Sequence, residues 1–279
     1  MMEAMIRKGK RFFQLLTCRL RMLPSFFIIG AQRSGTTSLY NYLASHPAIA
    51  SSLMKEVHFF DFRYRKGVLW YRSHFPTLLY QHFPRSTRGK SCIAGEASPY
   101  YICHPHAPKR IAAALPQAKL IALLRNPVDR AYSHYHHEVR LGFESLSFRD
   151  AVEREEERLR GEMERMLADE NYYSFNHHHF SYLSRGLYAD QLSLWFRYLP
   201  REQFLIIKSE DFYSNPSGIY RQVTEFLGVH AVELKEYKTY NYADYSVMDP
   251  ELRDRLIRHF GSHNEQLYEM LGRNLGWDQ

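Results

Sequence analysis

Three short stretches of this chain hold residue types whose spacing could do chemistry together. In GAQRSGTTS, Gly30 to Ser38, the two glycines Gly30 and Gly35 are separated by four residues. That is the spacing of a phosphate-cradling loop, in which successive backbone N–H groups and a helix N-terminus hold oxyanions. The lysine that ends such loops is missing: Gly35 is followed by Thr36, Thr37 and Ser38, and the cation stands upstream at Arg33. Gly30, Gln32, Arg33, Ser34, Gly35, Thr36, Thr37 and Ser38 are therefore candidates to hold a phosphate, with Arg33 addressing a group in transfer. In KEVHFFD, Lys55 to Asp61, Glu56 and His58 are two residues apart. In extended chain this puts an acid and an imidazole on one face, where both can share a substrate hydroxyl.

The third stretch is RNPVDRAYS, Arg125 to Ser133. Arginine offers a fixed fork to a phosphate, so Arg125, with Ser133, reads as a second anion site. A magnesium-dependent P-loop enzyme needs a carboxylate at the end of a later apolar strand, and here the run Leu120 to Leu124 ends in Arg125 instead. No metal site is expected: the triplet His177, His178 and His179 lacks a placed cysteine or carboxylate partner. Arg130 is expected to pair with a carboxylate on the surface of its helix.

Bringing these residues together requires particular elements. Phe26 to Ile29 is a short apolar run that breaks at Gly30 and reads as a buried parallel strand. From Thr36, Leu39, Tyr40 and Leu43 recur at helical spacing until His46 and Pro47 stop them. The same grammar gives strands at 92–97, 120–124 and 204–207 and helices at 108–115, from Pro127, and at 188–198. The alternation predicts an α/β fold: a single P-loop-like domain over residues 26–279, with a central, mostly parallel sheet flanked by helices, after a basic leader at 1–25. Residues 147–170, with Val152, Leu159, Met163 and Met166 among charges, read as a solvated amphipathic helix. Asn171 to Arg185, rich in Tyr and His, then reads as a loop or insertion over a site, so that 144–185 forms a helical insertion and loop near the acceptor site.

With 279 residues, 45% hydrophobic and 24% charged, the chain has the composition of a globular protein rather than a disordered or fibrous one. The net charge is +7, of which the leader supplies +5 (6 basic, 1 acidic) and the remainder +2 (31 basic, 29 acidic), which argues against a nucleic-acid-binding face. Three cysteines, Cys18, Cys92 and Cys103, are too few and too scattered for a disulfide framework or a four-ligand zinc site, and fit a reducing compartment. The apolar stretch Phe12 to Ile29 is interrupted by Arg19, Arg21 and Pro24, so no transmembrane segment is expected, and the expected location is cytoplasmic. Residues 5–23 also admit a weak membrane-surface contact.

Together with GEASPYY (Gly95 to Tyr101) and RGLYADQL (Arg185 to Leu192), the order and spacing of these motifs resemble the sulfotransferase family that uses 3′-phosphoadenosine 5′-phosphosulfate (PAPS). The likeness is strongest to its carbohydrate branch of heparan sulfate and bacterial enzymes, and it covers nearly everything from Phe26 on. The resemblance implies that the first loop holds the 5′-phosphosulfate and that Arg125 and Ser133 hold the 3′-phosphate. It implies Glu56 as general base with His58 supporting it, although in the small-molecule branch a histidine takes the proton and the roles exchange. The product would be 3′-phosphoadenosine 5′-phosphate, and the partner a hydroxyl, or an amine, of a carbohydrate or glycoconjugate.

Two departures concern charge: heparan sulfate enzymes usually carry lysine where this chain has Arg33 and Ala97. No cysteine follows Cys103, so the disulfide-bounded nucleotide loop of the eukaryotic enzymes has no counterpart. The segment 235–245, with Tyr237, Lys238, Tyr240, Asn241 and Tyr242, is expected to close over the nucleotide instead. Two other readings stay open: a magnesium-dependent P-loop phosphotransferase (kinase), and a non-enzymatic anion- or membrane-surface-binding module.

Overall fold

The sheet is built from five strands: β1 (Phe26–Gly30), β2 (Ile49–Ser51), β3 (Ile93–Ala97), β4 (Lys119–Leu124) and β5 (Phe204–Lys208). They belong to a computed structural model that describes residues 12–82, 92–240 and 246–278. All pair in parallel in the order β2-β3-β1-β4-β5. The centre is in register through Phe26, opposite Gly95 on one side and Lys119 on the other.

A parallel strand between helices must be apolar on both faces. Side chains alternate accordingly: Phe27, Ile29, Leu120, Ala122 and Leu124 enter one core, and Phe26, Ile28, Ile121 and Leu123 the other. Helices Thr36–Ala44 and Pro216–Leu227 cover the second core with Leu39, Leu43, Tyr220 and Val223. Helices Ala107–Ala114, Tyr188–Phe196 and Pro250–Leu271 cover the first with Ile111, Leu192, Trp195 and Leu267. From β1 the chain runs to β2 and β3 on one side, then crosses to β4 and β5 on the other. In an open parallel sheet that reversal leaves a crevice beyond the carboxyl ends of β1 and β4. Gly30 ends one of these strands and Arg125 follows the other.

Two expectations are corrected here. Residues 147–170 are three short helices, Phe148–Glu153, Glu155–Leu159 and Glu162–Ala168, with Gly161 at φ 76° breaking the last two. Nor is the stretch a solvated face. Glu155 is buried and accepts the N–H groups of Leu183 and Ser184 at 2.6 and 2.8 Å; Glu162 is buried and accepts the hydroxyls of Tyr172 and Ser174 at 3.0 and 2.5 Å. Charge density along a sequence does not reveal donors that the following 172–184 segment folds back to supply, and those donors are what make burial of a carboxylate tolerable. Arg130 likewise is wholly buried and donates to the carbonyl of Tyr182 rather than to a surface carboxylate. Burial pushes its pKa down to about 10.

At the N-terminal end, residues 12–16 are helical and Cys18–Leu20 form a 3-10 turn. The part of the leader reading that falls on residues 1–11 lies outside the described residues. Among the described residues no helix is long and apolar enough to cross a membrane.

Candidate active site

The loop after β1 is held in shape from all sides. A Cβ on Gly30 would stand 2.5 Å from Cγ2 of Ile102, and Gly35 adopts φ 92° to turn into the helix at Thr36. The carbonyl of Ser34 accepts from Ser209 Oγ at 2.9 Å, that of Arg33 accepts from Arg125 Nη1 at 3.2 Å, and Gln32 Oε1 accepts from Arg185. Arg33 Nε donates to Ser133 Oγ at 3.0 Å, which ties the first stretch to the third. Arg33, Gly35, Thr36, Thr37, Arg125 and Ser133 together line a cavity of about 670 Å³. Ser209, Glu210, Tyr213, Ser214, Thr239 and Tyr240 complete its wall with Asp129.

Not every candidate faces this space. Ser34 and Ser38 are fully buried, and Ser38 Oγ accepts the N–H of Tyr240 at 3.0 Å. The Ser38 hydroxyl thus holds the 235–240 segment, whereas the Ser34 hydroxyl is buried without a hydrogen-bond partner. Of the segment 235–245, Thr239 and Tyr240 reach the cavity and Tyr237 packs edge-on to Tyr42, whereas Asn241 and Tyr242 lie outside the described residues.

A second cavity, of about 270 Å³, is lined by Gln32, Lys55, Glu56, His58, Tyr100, His137, His178 and Arg185 together with Arg33, Thr36 and Thr37. The last three residues are common to both cavities. Two ligands bound here would meet over Arg33, which is what a group transfer requires.

The three candidate catalytic residues share a backbone property. Arg33, Glu56 and His58, at φ 70°, 55° and 51°, are the non-glycine residues with positive φ among the described residues. Such conformations cost energy and concentrate where the surroundings enforce them, commonly at functional sites. The extended geometry expected for Glu56 and His58 is therefore wrong, although the two side chains still converge, with Glu56 Oε2 3.4 Å from His58 Nε2. The enforcement is visible: Arg63 donates to the Val57 carbonyl at 2.7 Å and Arg110 to those of Phe60 and Asp61 at 2.8 and 3.0 Å. The Tyr101 hydroxyl accepts the N–H groups of Phe59 and Phe60 at 2.9 and 3.3 Å.

Behind Glu56 the charges form a chain. His58 Nδ1 lies 2.6 Å from Oδ2 of Asp61, which is buried, and Lys55 Nζ lies 3.3 Å from Glu56 Oε1 and 2.8 Å from Thr37 Oγ1. Burial drives the His58 pKa down, but the hydrogen bond and charge of Asp61, then those of Glu56, outweigh it and carry it up to about 10. Burial drives the Glu56 pKa up, yet the bond from His58 and the charges of Lys55 and His58 bring the net value below the usual carboxylate range. At neutral pH the pair is a carboxylate beside an imidazolium.

Beneath it lies a carboxyl group of the opposite kind. Glu96 is wholly buried, accepts the Tyr101 hydroxyl at 2.8 Å, and has its pKa pushed up to about 8, chiefly by burial. A pKa raised on folding contributes stability that is complete below the unfolded value, near 4.5, and is lost as pH rises through about 8. The melting temperature should thus decline between those limits, and Glu96→Gln, which keeps the Tyr101 bond, should flatten the decline. Thermal melts from pH 5 to 9 would show a gap of several degrees at the alkaline end, at about 2–4 °C per kcal/mol for a chain of this size class. Parallel melting curves for the two proteins would mean that Glu96 does not titrate in this range.

Several functional residues escaped the sequence reading. Asp61, buried behind His58 and lining neither cavity, closes the quoted motif three residues after His58, a spacing that signals a helical turn rather than a strand. Lys55 opens the same motif, and Arg185 opens RGLYADQL; it stacks over Tyr100 at 4.6 Å and is buried against the carbonyls of His177 and His178. Only His178 of the histidine triplet lines the cavity. His177 bonds Tyr100 at 2.5 Å and His179 bonds Glu138 at 2.8 Å. Burial and the Arg185 charge push the His178 pKa down to about 2, so it is a neutral wall. Ala97 is buried in β3 and lines neither cavity; the cations in contact with Glu56 are Lys55 and His58, and Arg33 and Arg185 line the same cavity.

The profile of the family described as Sulfotransferase domain matches residues 23–251. Membrane-associated sulfotransferase kil1 of Dictyostelium discoideum is 30% identical over 324 aligned residues, covering 93% of this chain and 67% of that protein. Heparan sulfate glucosamine 3-O-sulfotransferase 3B1 of Mus musculus is 30% identical, covering 92% and 66%. The chain thus spans about two thirds of the length of these relatives. The crystal structure of a sulfotransferase from Alicyclobacillus acidocaldarius superposes with a TM-score of 0.69 at 34% identity, covering 92% of this chain and all of that one.

Proposed function

Since the chain belongs to the sulfotransferase domain family and is an enzyme of that class, we propose that it moves a sulfuryl group from PAPS to a hydroxyl of a carbohydrate or glycosylated acceptor. The observation that carries this reading is the pair of cavities joined at Arg33, Thr36 and Thr37, one walled by two arginines and the other holding the Glu56 carboxylate. The donor, when bound, supplies a sulfuryl group already attached to a phosphate leaving group. The residues fit such a ligand: Arg33 and the Gly35–Thr37 turn would receive the 5′ end, and Arg125 with Ser133 the 3′-phosphate. Asp129 pairs with Arg253 at 2.7 Å, and Glu210 accepts the Asn126 N–H on one carboxylate oxygen at 2.9 Å, its other oxygen being buried without a hydrogen-bond partner.

In the smaller cavity Glu56 would take the proton of the acceptor hydroxyl, whose oxygen would replace the phosphate oxygen on the sulfuryl group that the donor supplies. Arg33, Thr36 and Thr37 stabilise the charge that then develops on the departing oxygen, and Lys55 holds Glu56 and Thr37 in register. A sulfuryl group carries one negative charge, so fixed cations suffice where phosphoryl transfer employs a metal. His58, held as the cation, is unsuited to accept a proton and serves to orient Glu56. The Mus musculus relative's name is the support for a carbohydrate acceptor.

Calorimetric titration with adenosine 3′,5′-bisphosphate, 5′-AMP and ATP, with and without Mg²⁺, tests the donor assignment. The bisphosphate should bind about tenfold or more tighter than 5′-AMP, since charge-assisted bonds to the extra phosphate contribute about 1.5–3 kcal/mol, and Mg²⁺ should not matter. Preference for ATP with Mg²⁺ would overturn the assignment in favour of phosphoryl transfer.

A further inference from the structure

The charges of this chain are unevenly divided. Along the sequence, residues 1–95 hold 15 Lys and Arg against 3 Asp and Glu, a net +12, whereas residues 96–279 hold 22 against 27, a net −5; the described residues 12–82 hold 8 against 2. Within residues 12–82 the carboxylates are Glu56 and Asp61 alone, and both are turned to His58. Of the cations there, Arg21 is buried and Lys55 pairs with Glu56, while Arg19, Arg65 and Lys66 are exposed.

An apolar face lies on the same part. Phe12, Phe13 and Leu16 on the helical residues 12–16 are 64%, 60% and 68% exposed, and Leu20, four residues further on, is 64% exposed. The chain at 20–22 runs antiparallel to 76–78, with Leu78 N donating to the Leu20 carbonyl at 2.8 Å, which brings Leu79, 69% exposed, beside Leu20. Helix Gly67–Arg72 packs against the Cys18–Leu20 turn, and Arg19, Arg65 and Lys66 are exposed around it. Large apolar side chains gathered at a surface mark a docking site.

Charge selects the occupant. A second copy would set Arg19, Arg65 and Lys66 of one face against the same cations of the other, and a soluble polyanion would use the cations but leave the phenylalanines and leucines in water. We propose that residues 12–20 with Leu79 dock the protein on an anionic bilayer surface, the apolar side chains entering the acyl boundary and Arg19, Arg65 and Lys66 meeting the headgroups. The contact is interfacial and independent of the sulfotransferase reading.

Co-sedimentation of the full chain with vesicles tests it. Phosphatidylcholine vesicles containing about a third phosphatidylglycerol should take up the protein about tenfold better than pure phosphatidylcholine, and added salt should weaken the uptake. The double variant Phe13→Ser, Leu16→Ser should lose about tenfold or more, and Arg65→Gln with Lys66→Gln a similar factor, with unchanged melting temperatures. Failure to pellet with anionic vesicles at low salt overturns the proposal. So does undiminished pelleting of the double serine variant, which would make the contact purely electrostatic. A dimer in light scattering that this variant dissolves, without vesicle binding by the parent, would assign the face to a second copy.

Discussion

Glu56→Gln lowers turnover about a hundredfold or more, the usual range for removal of a general base, and leaves the affinity for adenosine 3′,5′-bisphosphate unchanged. The expectation rests on which cavity the side chain occupies. Glu56 lines the smaller space and not the larger one, and glutamine keeps its size and its contact with His58 while discarding the proton-accepting oxygen. Steady-state rates with a sulfate acceptor, set beside calorimetry of the same variant, separate the possibilities. Unchanged turnover would remove Glu56 from the chemistry. A parallel loss of nucleotide affinity would show instead that Glu56 acts through Lys55 and Thr37 to hold the phosphate loop.

The pH profile of the parent enzyme carries the same argument further. Glu56 is a carboxylate above its lowered pKa, and His58 remains an imidazolium up to about 10. The competent pair exists between those limits, so turnover should be flat through neutrality, fall in acid as Glu56 takes up a proton, and fall again as His58 loses its own. A single rise centred near 6.5, the ordinary imidazole value, would transfer the base role to His58.

Much of this site can be read from residues alone, and the parts that cannot have physical reasons. Phe26 to Ile29 and Leu120 to Leu124 announce themselves as buried parallel strands because both of their faces must be apolar. Asn126 and Pro127 announce a helix start, and Asn126 Oδ1 does accept the Val128 N–H at 3.0 Å. Glu56 and His58 were legible as partners but not by the right geometry. Two left-handed residues in a row of three are improbable in isolation, and they persist here because Arg63, Arg110 and Tyr101 arrive from 6 to about 50 positions away to hold the carbonyls and N–H groups between them. Glu155, Glu162 and Arg130 failed for the same reason: their partners at 172–184 are distant in sequence, so composition alone assigns them to solvent. The leader's +5 was visible while the +12 of the first 95 residues was not, because dividing the chain at residue 25 hid an asymmetry that only the exposed face at Phe12 to Leu20 makes meaningful.

Arg125→Ala should weaken nucleotides that carry a 3′-phosphate by about ten- to a hundredfold, the equivalent of about 1.5–3 kcal/mol for charge-assisted bonds, and leave 5′-AMP within about twofold. Arg125 follows the last residue of β4, and its carbonyl is pinned by the Tyr188 hydroxyl at 2.9 Å, so its backbone stays fixed when the side chain is cut. The guanidinium reaches back to the Arg33 carbonyl, while Arg33 Nε holds Ser133 Oγ, leaving that hydroxyl its own proton to donate. Arg125 and Ser133 thus wall the large cavity from the β4 side and the Gly35 turn from the β1 side, so the assignment gives each phosphate its own wall. The lost bond to Arg33 is the competing effect, because a loosened loop would weaken every ligand of that turn. The ratio of affinities for adenosine 3′,5′-bisphosphate and 5′-AMP, measured on parent and variant, distinguishes the two. A selective fall assigns Arg125 to the second phosphate, and an equal fall for both ligands would make it a brace of the first loop. Arg125→Lys sharpens the distinction, since lysine keeps the charge but not the planar fork, and should recover only part of the selectivity.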